Sequence, residues 1–255
     1  GQNTYPATVP PSGAIGLNML AGNPARLTGA QQVLQFDNGL QLVQAANGVT
    51  NRGVSHASLL NSALLSAQQT SVVWPGGSLA AQLKMVAKII SVRAQLGLSR
   101  QVFFCGMGGF DTHGSQLAIQ DSLLTELSQA IGAFYAATQE LAIENSVTTF
   151  TASEFGRTLT GNSNGGTDHA WGSHHFVVGG GVLGGQFYGQ FPTLALGSLY
   201  DANNRGTLIP TTSVDQYGAT LAQWFGVAPG NGPGQVGSIF GNIGNFQTSN
   251  LGFLG

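Results

Sequence analysis

The sequence predicts an α/β protein with a largely parallel sheet flanked by helices. Long stretches in which apolar residues recur every three or four positions are typical of amphipathic helices. Short runs that are apolar at nearly every position are typical of strands buried on both faces. The two kinds of segment alternate along the chain, and this alternation is the order that a parallel sheet with crossover helices requires.

The first 75 residues are rich in Gly, Asn, Gln and Ala and carry the weaker signals. We predict two short strands in QQVLQFDNGLQLVQAANG (31–48), joined by the turn signal Asp-Asn-Gly. The run SHASLLNSALLSAQQ (55–69) is predicted as a helix capped by Ser55. The chain is therefore divided into a Gly/Asn/Gln-rich extension, residues 1–75, and an α/β domain, residues 76–255.

The helices of the second segment are predicted from spacing and capping signals. Leu79, Leu83, Val86 and Ile90 define a helix that ends near Gly97. A second helix is predicted over 116–142.

The run SVDQYGATLAQWFG (213–226) has a Ser213/Gln216 capping box and a terminal glycine, Gly226, so it is predicted as a third helix. Three apolar runs are the predicted strands: QVFFCGM (101–107), SVTTFTA (146–152) and HHFVVGGG (174–181). The one cysteine, Cys105, lies in the first of them and is predicted to be a buried, inert thiol.

The composition excludes several classes of protein. Charged residues make up 7% of the chain, against about 25% in an ordinary soluble domain. The net charge of −2 excludes a basic surface for nucleic acid or an anionic membrane, and no apolar run is long enough for a transmembrane helix. So few charges predict self-association in an extracellular or assembled protein; a family bias toward Gly, Ser and Asn explains them equally well. The start, GQNTYPATVPPSG, is typical of a mature or cleaved terminus.

The ionisable residues are concentrated after the predicted strands, where open α/β sheets bind ligands. GGFDTHGSQ (108–116) follows the first strand and SEFGRT (153–158) follows the second, leading into GGTDHAWGSHH (165–175). Four of the five histidines and three of the ten carboxylates lie in these stretches. A Walker loop and a Cys-x-x-Cys pair are absent from the sequence. The run VVGGGVLGGQFYG (177–189) is rich in glycine but does not stand at a predicted strand-to-helix turn, so a dinucleotide site is not expected there.

The spacing of these residues indicates a metal or polar site. Asp111 and His113 are two residues apart, so in an extended loop their side chains point the same way. The alternative for this pair is a turn with a hydrogen-bonded Asp. Asp168 and His169 are adjacent and diverge, which suits two centres better than one. Imidazole and carboxylate together suit zinc, iron or manganese.

Four further residues are candidates for supporting roles. His174 and His175 begin a predicted strand and face opposite sides, so at most one of them joins the site. Glu154 and Arg157 are spaced for a local ion pair, either beside the site or purely structural. Arg157 is also a candidate for holding an anionic substrate group through two hydrogen bonds.

The three stretches, followed by GTLIPTTSVDQYGATLAQWFGV, resemble the bacterial family known as domain of unknown function 1501 over residues 75 to 245. That family is exported, often with twin-arginine signals, and is similar to the alkaline phosphatase and sulfatase superfamily. The resemblance implies an α/β core that binds one or two divalent metals: zinc first, with iron, manganese or calcium as alternatives. It implies that Asp111 with His113, and Asp168 with His169, are metal ligands completed by His174 or His175, and that the element containing Glu154 and Arg157 belongs to the site.

The family's usual early strand and Gly-Gly-Asn-Asp-Gly element have no counterpart here. The resemblance therefore implies an alkaline phosphatase-like core that lacks its usual amino-terminal part. A cleaved amino-terminal fragment or another chain completes the fold, or the early half of the site is lost. The expected function is an exported, periplasmic or extracellular, metal-dependent hydrolase of phosphate or sulfate esters. The alternative is a non-catalytic extracellular structural or assembly protein on a degenerate hydrolase scaffold, including a homo-oligomer.

Overall fold

The computed structural model describes residues 7–12, 23–36 and 39–255. The chain forms two compact units, Gly1–Cys105 and Gly106–Gly255. The division at residue 75 was predicted from composition alone and stays a prediction. Among the described residues, no helix combines the length and the apolarity needed to span a bilayer.

The described residues of the first unit form three helices, α1 (Pro24–Gln35), α2 (Gln41–Leu64) and α3 (Ser78–Ser91). Asn23 caps α1 by accepting a hydrogen bond from the Arg26 amide at 3.2 Å, and Pro24 begins the helix. The side-chain amide of Asn51 in α2 donates to the Leu34 carbonyl of α1 at 3.3 Å. The apolar positions that predicted α3 are buried, so this helix is confirmed, although it ends at Ser91 and residues 92–97 form turns instead of the predicted last turn of helix.

Two predictions for the first unit need correction. In the run 31–48, residues 31–35 end α1 and residues 41–48 begin α2, because their Gln, Ala and Leu residues are helix formers and the two helices pack together. Two residues of the predicted Asp-Asn-Gly turn, 37 and 38, lie outside the described residues. The helix predicted to begin at Ser55 instead begins at Gln41, so Ser55 lies inside α2 and caps nothing.

The second unit contains α4 (Gln116–Glu140), α5 (Val214–Trp224) and the short α6 (Val236–Ile239). The predicted capping box is confirmed: the Ser213 hydroxyl accepts from the Gln216 amide at 3.2 Å, and the Gln216 side chain accepts from the Ser213 amide at 3.2 Å. Gly226 follows the helix with a φ of 104°, as a terminal glycine should. Ala219 packs with Val236 and Ile243 in a buried apolar cluster.

The predicted parallel sheet flanked by helices is wrong. The part of the chain that the structure describes contains two sheets, each antiparallel and two-stranded. In the first, β1 (Thr149–Phe150) pairs with β4 (Val177–Val178), and in the second, β2 (Gly156–Arg157) pairs with β3 (His169–Ala170). With this correction, the alkaline phosphatase-like core expected from the resemblance is also set aside.

The prediction of a parallel sheet failed because an apolar run does not by itself determine which other segment it will form hydrogen bonds with. Residues 101–107 form no strand, and Val102 and Phe104 are 73% and 96% exposed. Cys105 is only half-buried, although this burial raises the pKa of its thiol. The other two predicted strands do pair, but with each other and over two residues each.

Candidate metal centre

The loop before α4 fixes Asp111 and His113 on the same side of the backbone. The Thr112 amide donates to the Phe110 carbonyl at 2.9 Å and the His113 amide to the Asp111 carbonyl at 3.2 Å, which makes two successive tight turns. Thr112 between them is buried, and its hydroxyl accepts from the Gln120 side chain at 3.1 Å. His113 Nε2 lies 2.9 Å from Asp111 Oδ1, so the predicted common direction of the pair is confirmed.

A second loop, residues 161–166, packs against the backbone of His113. Gly114 and Gly165 form an antiparallel bridge, and the Asn162 side chain donates to the His113 carbonyl at 3.0 Å. A Cβ atom on Gly166 would lie 2.2 Å from the His113 carbonyl carbon. The approach of the two loops therefore requires glycine at position 166.

The β2–β3 pair brings His169 to the same place. His169 on β3 lies directly opposite Arg157 on β2. Its ring stacks on Phe155 with centroids 3.9 Å apart and planes 10° apart, and its Nε2 lies 2.9 Å from Asp111 Oδ1. A Cβ atom on Gly156 would lie 2.1 Å from the Gly172 carbonyl oxygen, so this close pairing also depends on a glycine.

Asp111, His113 and His169 form a cluster suited to a metal ion. One ligand atom from each residue lies within 4.8 Å of the others. All three side chains are about half exposed, at 55%, 50% and 52% respectively. Two imidazole nitrogens and one carboxylate oxygen are a ligand set for zinc or iron that leaves coordination positions open for a substrate.

The charge state of Asp111 suits a ligand. The hydrogen bond from His169, assisted by the bond from Arg157, holds the pKa of Asp111 below its usual range despite some desolvation. The Arg157 guanidinium lies 2.8 Å from Asp111 Oδ1 and also donates through Nε to the Thr167 hydroxyl at 2.9 Å. Asp111 is therefore a carboxylate at neutral pH, held in place from two sides.

Asp168 lies beside the cluster and contacts it through His113. Its Oδ1 is 3.4 Å from His113 Nδ1, and its Oδ2 is 2.5 Å from Arg205 Nη2. The bond from Arg205 is the main reason that the pKa of Asp168 is lowered. Asp168 and His169 thus face different partners, but both partners, His113 and Asp111, belong to the same cluster, so the expectation of two separate centres stays a prediction.

Three of the remaining predicted site residues, His174, His175 and Glu154, are not members of the cluster. His174 stacks on Phe191 with centroids 4.9 Å apart, and His175 stacks on Tyr217 at 5.5 Å. Desolvation, with the neighbouring His174, lowers the pKa of His175. Glu154 is exposed, and within the described chain Arg157 pairs with Asp111 rather than with it.

No sequence motif pointed to Arg205 as a site residue. It lies in the turn Asn-Asn-Arg-Gly, which indicates only a loop, and its contact with Asp168 spans 37 positions. The rarity of Lys and Arg, eight in the whole chain, was the one available signal.

Residues 30–215 match the family model described as "Protein of unknown function (DUF1501)". The chain matches no curated protein and no solved structure.

Proposed function

The chain belongs to the DUF1501 family, and we propose that it is an exported, metal-dependent hydrolase of phosphate or sulfate esters. The observation that carries this proposal is the convergence of Asp111, His113 and His169 on one exposed point. Export to the periplasm or the extracellular space rests on the low charge content of 7% and is tested by locating the protein in fractionated cells.

Zinc fits this ligand set best. Catalytic zinc sites hold three protein ligands drawn from His, Asp, Glu and Cys and keep further positions open. Iron and manganese accept the same donors, whereas calcium prefers a shell of oxygens alone, which two imidazoles do not offer. A bound ion of this kind supplies Lewis acidity toward an ester oxygen.

The neighbouring residues hold the three ligands in position. Asp168 faces His113 Nδ1, which leaves Nε2 directed toward Asp111. Such carboxylate–imidazole pairs fix the orientation of a ligand ring. Phe155 supports the His169 ring from one face, and Arg157 supports the Asp111 carboxylate.

The charges around the cluster favour an anionic substrate. Two of the eight Lys and Arg residues of the chain, Arg157 and Arg205, lie at the cluster or one carboxylate away from it. Guanidinium groups recognise phosphate and sulfate oxygens through paired, charge-assisted hydrogen bonds. Phosphate and sulfate esters are therefore the proposed substrate class.

Zinc titration of the chelator-stripped protein tests the metal centre. By calorimetry we expect one zinc ion per wild-type chain and no measurable binding by Asp111→Asn or His169→Ala. His174→Ala is the matched control, since His174 contacts Phe191 and lies outside the cluster, and it should bind zinc as the wild type does. Wild-type protein that binds no zinc, iron or manganese contradicts the proposal.

An assay of ester hydrolysis distinguishes a hydrolase from a non-catalytic structural or assembly protein. The metal-loaded protein should release nitrophenol from nitrophenyl phosphate or nitrophenyl sulfate, and Asp111→Asn should not. Stoichiometric zinc binding without hydrolysis of either ester would instead support a non-catalytic extracellular structural or assembly protein.

A further inference from the structure

The two arginines at the site differ in the exposure of their side chains and in the number of hydrogen bonds that they make. Arg157 is 14% exposed at its side chain, and Arg205 is 46% exposed. Arg157 uses Nε, Nη1 and Nη2 in bonds to Thr167 and Asp111. Its guanidinium is thus committed to protein acceptors, and it acts by positioning Asp111.

Arg205 uses far less of its hydrogen-bonding capacity. Among the residues that the structure describes, its guanidinium makes one hydrogen bond, which Nη2 donates to Asp168 Oδ2. Four of the five N–H donors of a guanidinium are then free for a ligand. The rest of the group faces solvent beside Asp168, whose other oxygen contacts His113 of the cluster.

The backbone that carries Arg205 is nevertheless firmly held. The Thr160 amide donates to the Arg205 carbonyl at 3.0 Å, and the Arg205 amide donates to the Asn203 side chain at 3.1 Å. Asp201 accepts from the Gly206 amide at 2.9 Å. Because the backbone at Arg205 is already held, its half-exposed guanidinium can bind a ligand with little further loss of backbone entropy.

We propose that Arg205, rather than Arg157, binds the tetrahedral oxyanion of the substrate. This inference rests on the metal centre proposed above, because the metal ion and Arg205 would hold the same anion. Two free guanidinium N–H groups bind two oxygens of a phosphate or sulfate group, an arrangement that a carboxamide or a neutral ester cannot reproduce. Arg205 then determines the preference for an anionic ester.

Paired titrations with zinc and with inorganic phosphate test this role. Arg205→Gln should bind zinc within about twofold of the wild type, since Arg205 contacts none of the three ligands. Its affinity for inorganic phosphate in the zinc-loaded protein should fall at least about tenfold, the effect of losing one charge-assisted contact. Arg205→Lys should recover part of the loss, because it restores the charge without the paired geometry.

Arg100→Gln is the matched control. Arg100 is an exposed arginine of the first unit, so the substitution removes the same charge, and phosphate affinity should not change. Unchanged melting temperatures would show that all three variants fold.

The outcomes separate this inference from the proposed function. Phosphate bound equally well by Arg205→Gln and wild type, or not bound by zinc-loaded wild type at all, overturns the role of Arg205 and leaves the metal centre standing. Failure of the wild type to bind zinc overturns both.

Discussion

Arg157 holds the central ligand of the proposed site. Its three nitrogens donate to Asp111 and to two oxygens of Thr167, an arrangement that needs a planar fork. We expect Arg157→Lys to weaken zinc binding about 10–100-fold, the usual effect of losing a group that orients a metal ligand. Arg100→Lys serves as control in the same calorimetric titration. Wild-type affinity in Arg157→Lys would show that Asp111 needs no such support.

Asp201 makes the stability of the Arg205 loop depend on pH. Desolvation opposes ionisation of Asp201, but hydrogen bonds from the amides of Gly197, Gly206 and Asn203 outweigh it and lower the pKa. A lowered pKa in the folded state stabilises the protein above the unfolded value of about 3.9 and ceases to do so as pH falls through the folded pKa.

Asp201→Asn should therefore be less stable than the wild type at pH 7, and the difference should narrow toward pH 3. Thermal melting of both proteins across this range measures it. Parallel melting curves with a constant offset would mean that the charge of Asp201 is not involved.

Among the elements, the contact between loop 161–166 and the loop before α4 determines where His113 lies. A methyl group on Gly166 would collide with the backbone at His113, so Gly166→Ala must separate the loops. We expect a loss of about 1–3 kcal/mol in unfolding free energy together with loss of zinc binding.

Gly161→Ala is the control for this substitution. At that position the nearest atom, the Gly166 carbonyl oxygen, lies 3.5 Å away, an ordinary contact. Both variants are compared by chemical denaturation and zinc titration. Wild-type zinc affinity in Gly166→Ala would mean that the loop contact does not position the ligands.

Local signals predicted the helices but not the pairing of the strands. The apolar spacing of α3 and the capping box of α5 depend on residues within a few positions of each other. A strand also needs a partner that is distant in sequence, and nothing in QVFFCGM specifies one. Apolar runs alone therefore predict a parallel sheet that the described part of the structure does not contain.

The difference between local signals and contacts distant in sequence also determines which site residues could be predicted. The two-residue spacing of Asp111 and His113 predicted that their side chains point the same way, and the two tight turns of the loop before α4 produce that alignment. Bringing in His169 required the β2–β3 register, and placing His174 against Phe191 required a contact 17 positions away. Arg205 was missed because its role depends wholly on where its loop folds.

At the scale of the whole molecule, low charge and exposed apolar residues favour self-association. Five apolar side chains within residues 187–199 are exposed: Phe187, Phe191, Leu194, Leu196 and Leu199. A net charge of −2 provides little electrostatic repulsion between copies. Sedimentation velocity should show an average mass that rises with protein concentration.

Leu199→Asp should reduce this association without loss of stability, since the Leu199 side chain is 96% exposed. Leu65→Asp, at a side chain 91% exposed in the first unit, adds the same charge as a control. A single monomeric species at every concentration would contradict self-association.

The zinc K-edge X-ray absorption spectrum of the zinc-loaded chain tests the metal centre most directly. The cluster predicts two imidazole nitrogens and oxygen donors at about 2.0–2.2 Å, with one imidazole fewer in His169→Ala and no change in His174→Ala. A spectrum without imidazole, or one with a sulfur donor at about 2.3 Å, would place the metal elsewhere and contradict a centre built from Asp111, His113 and His169.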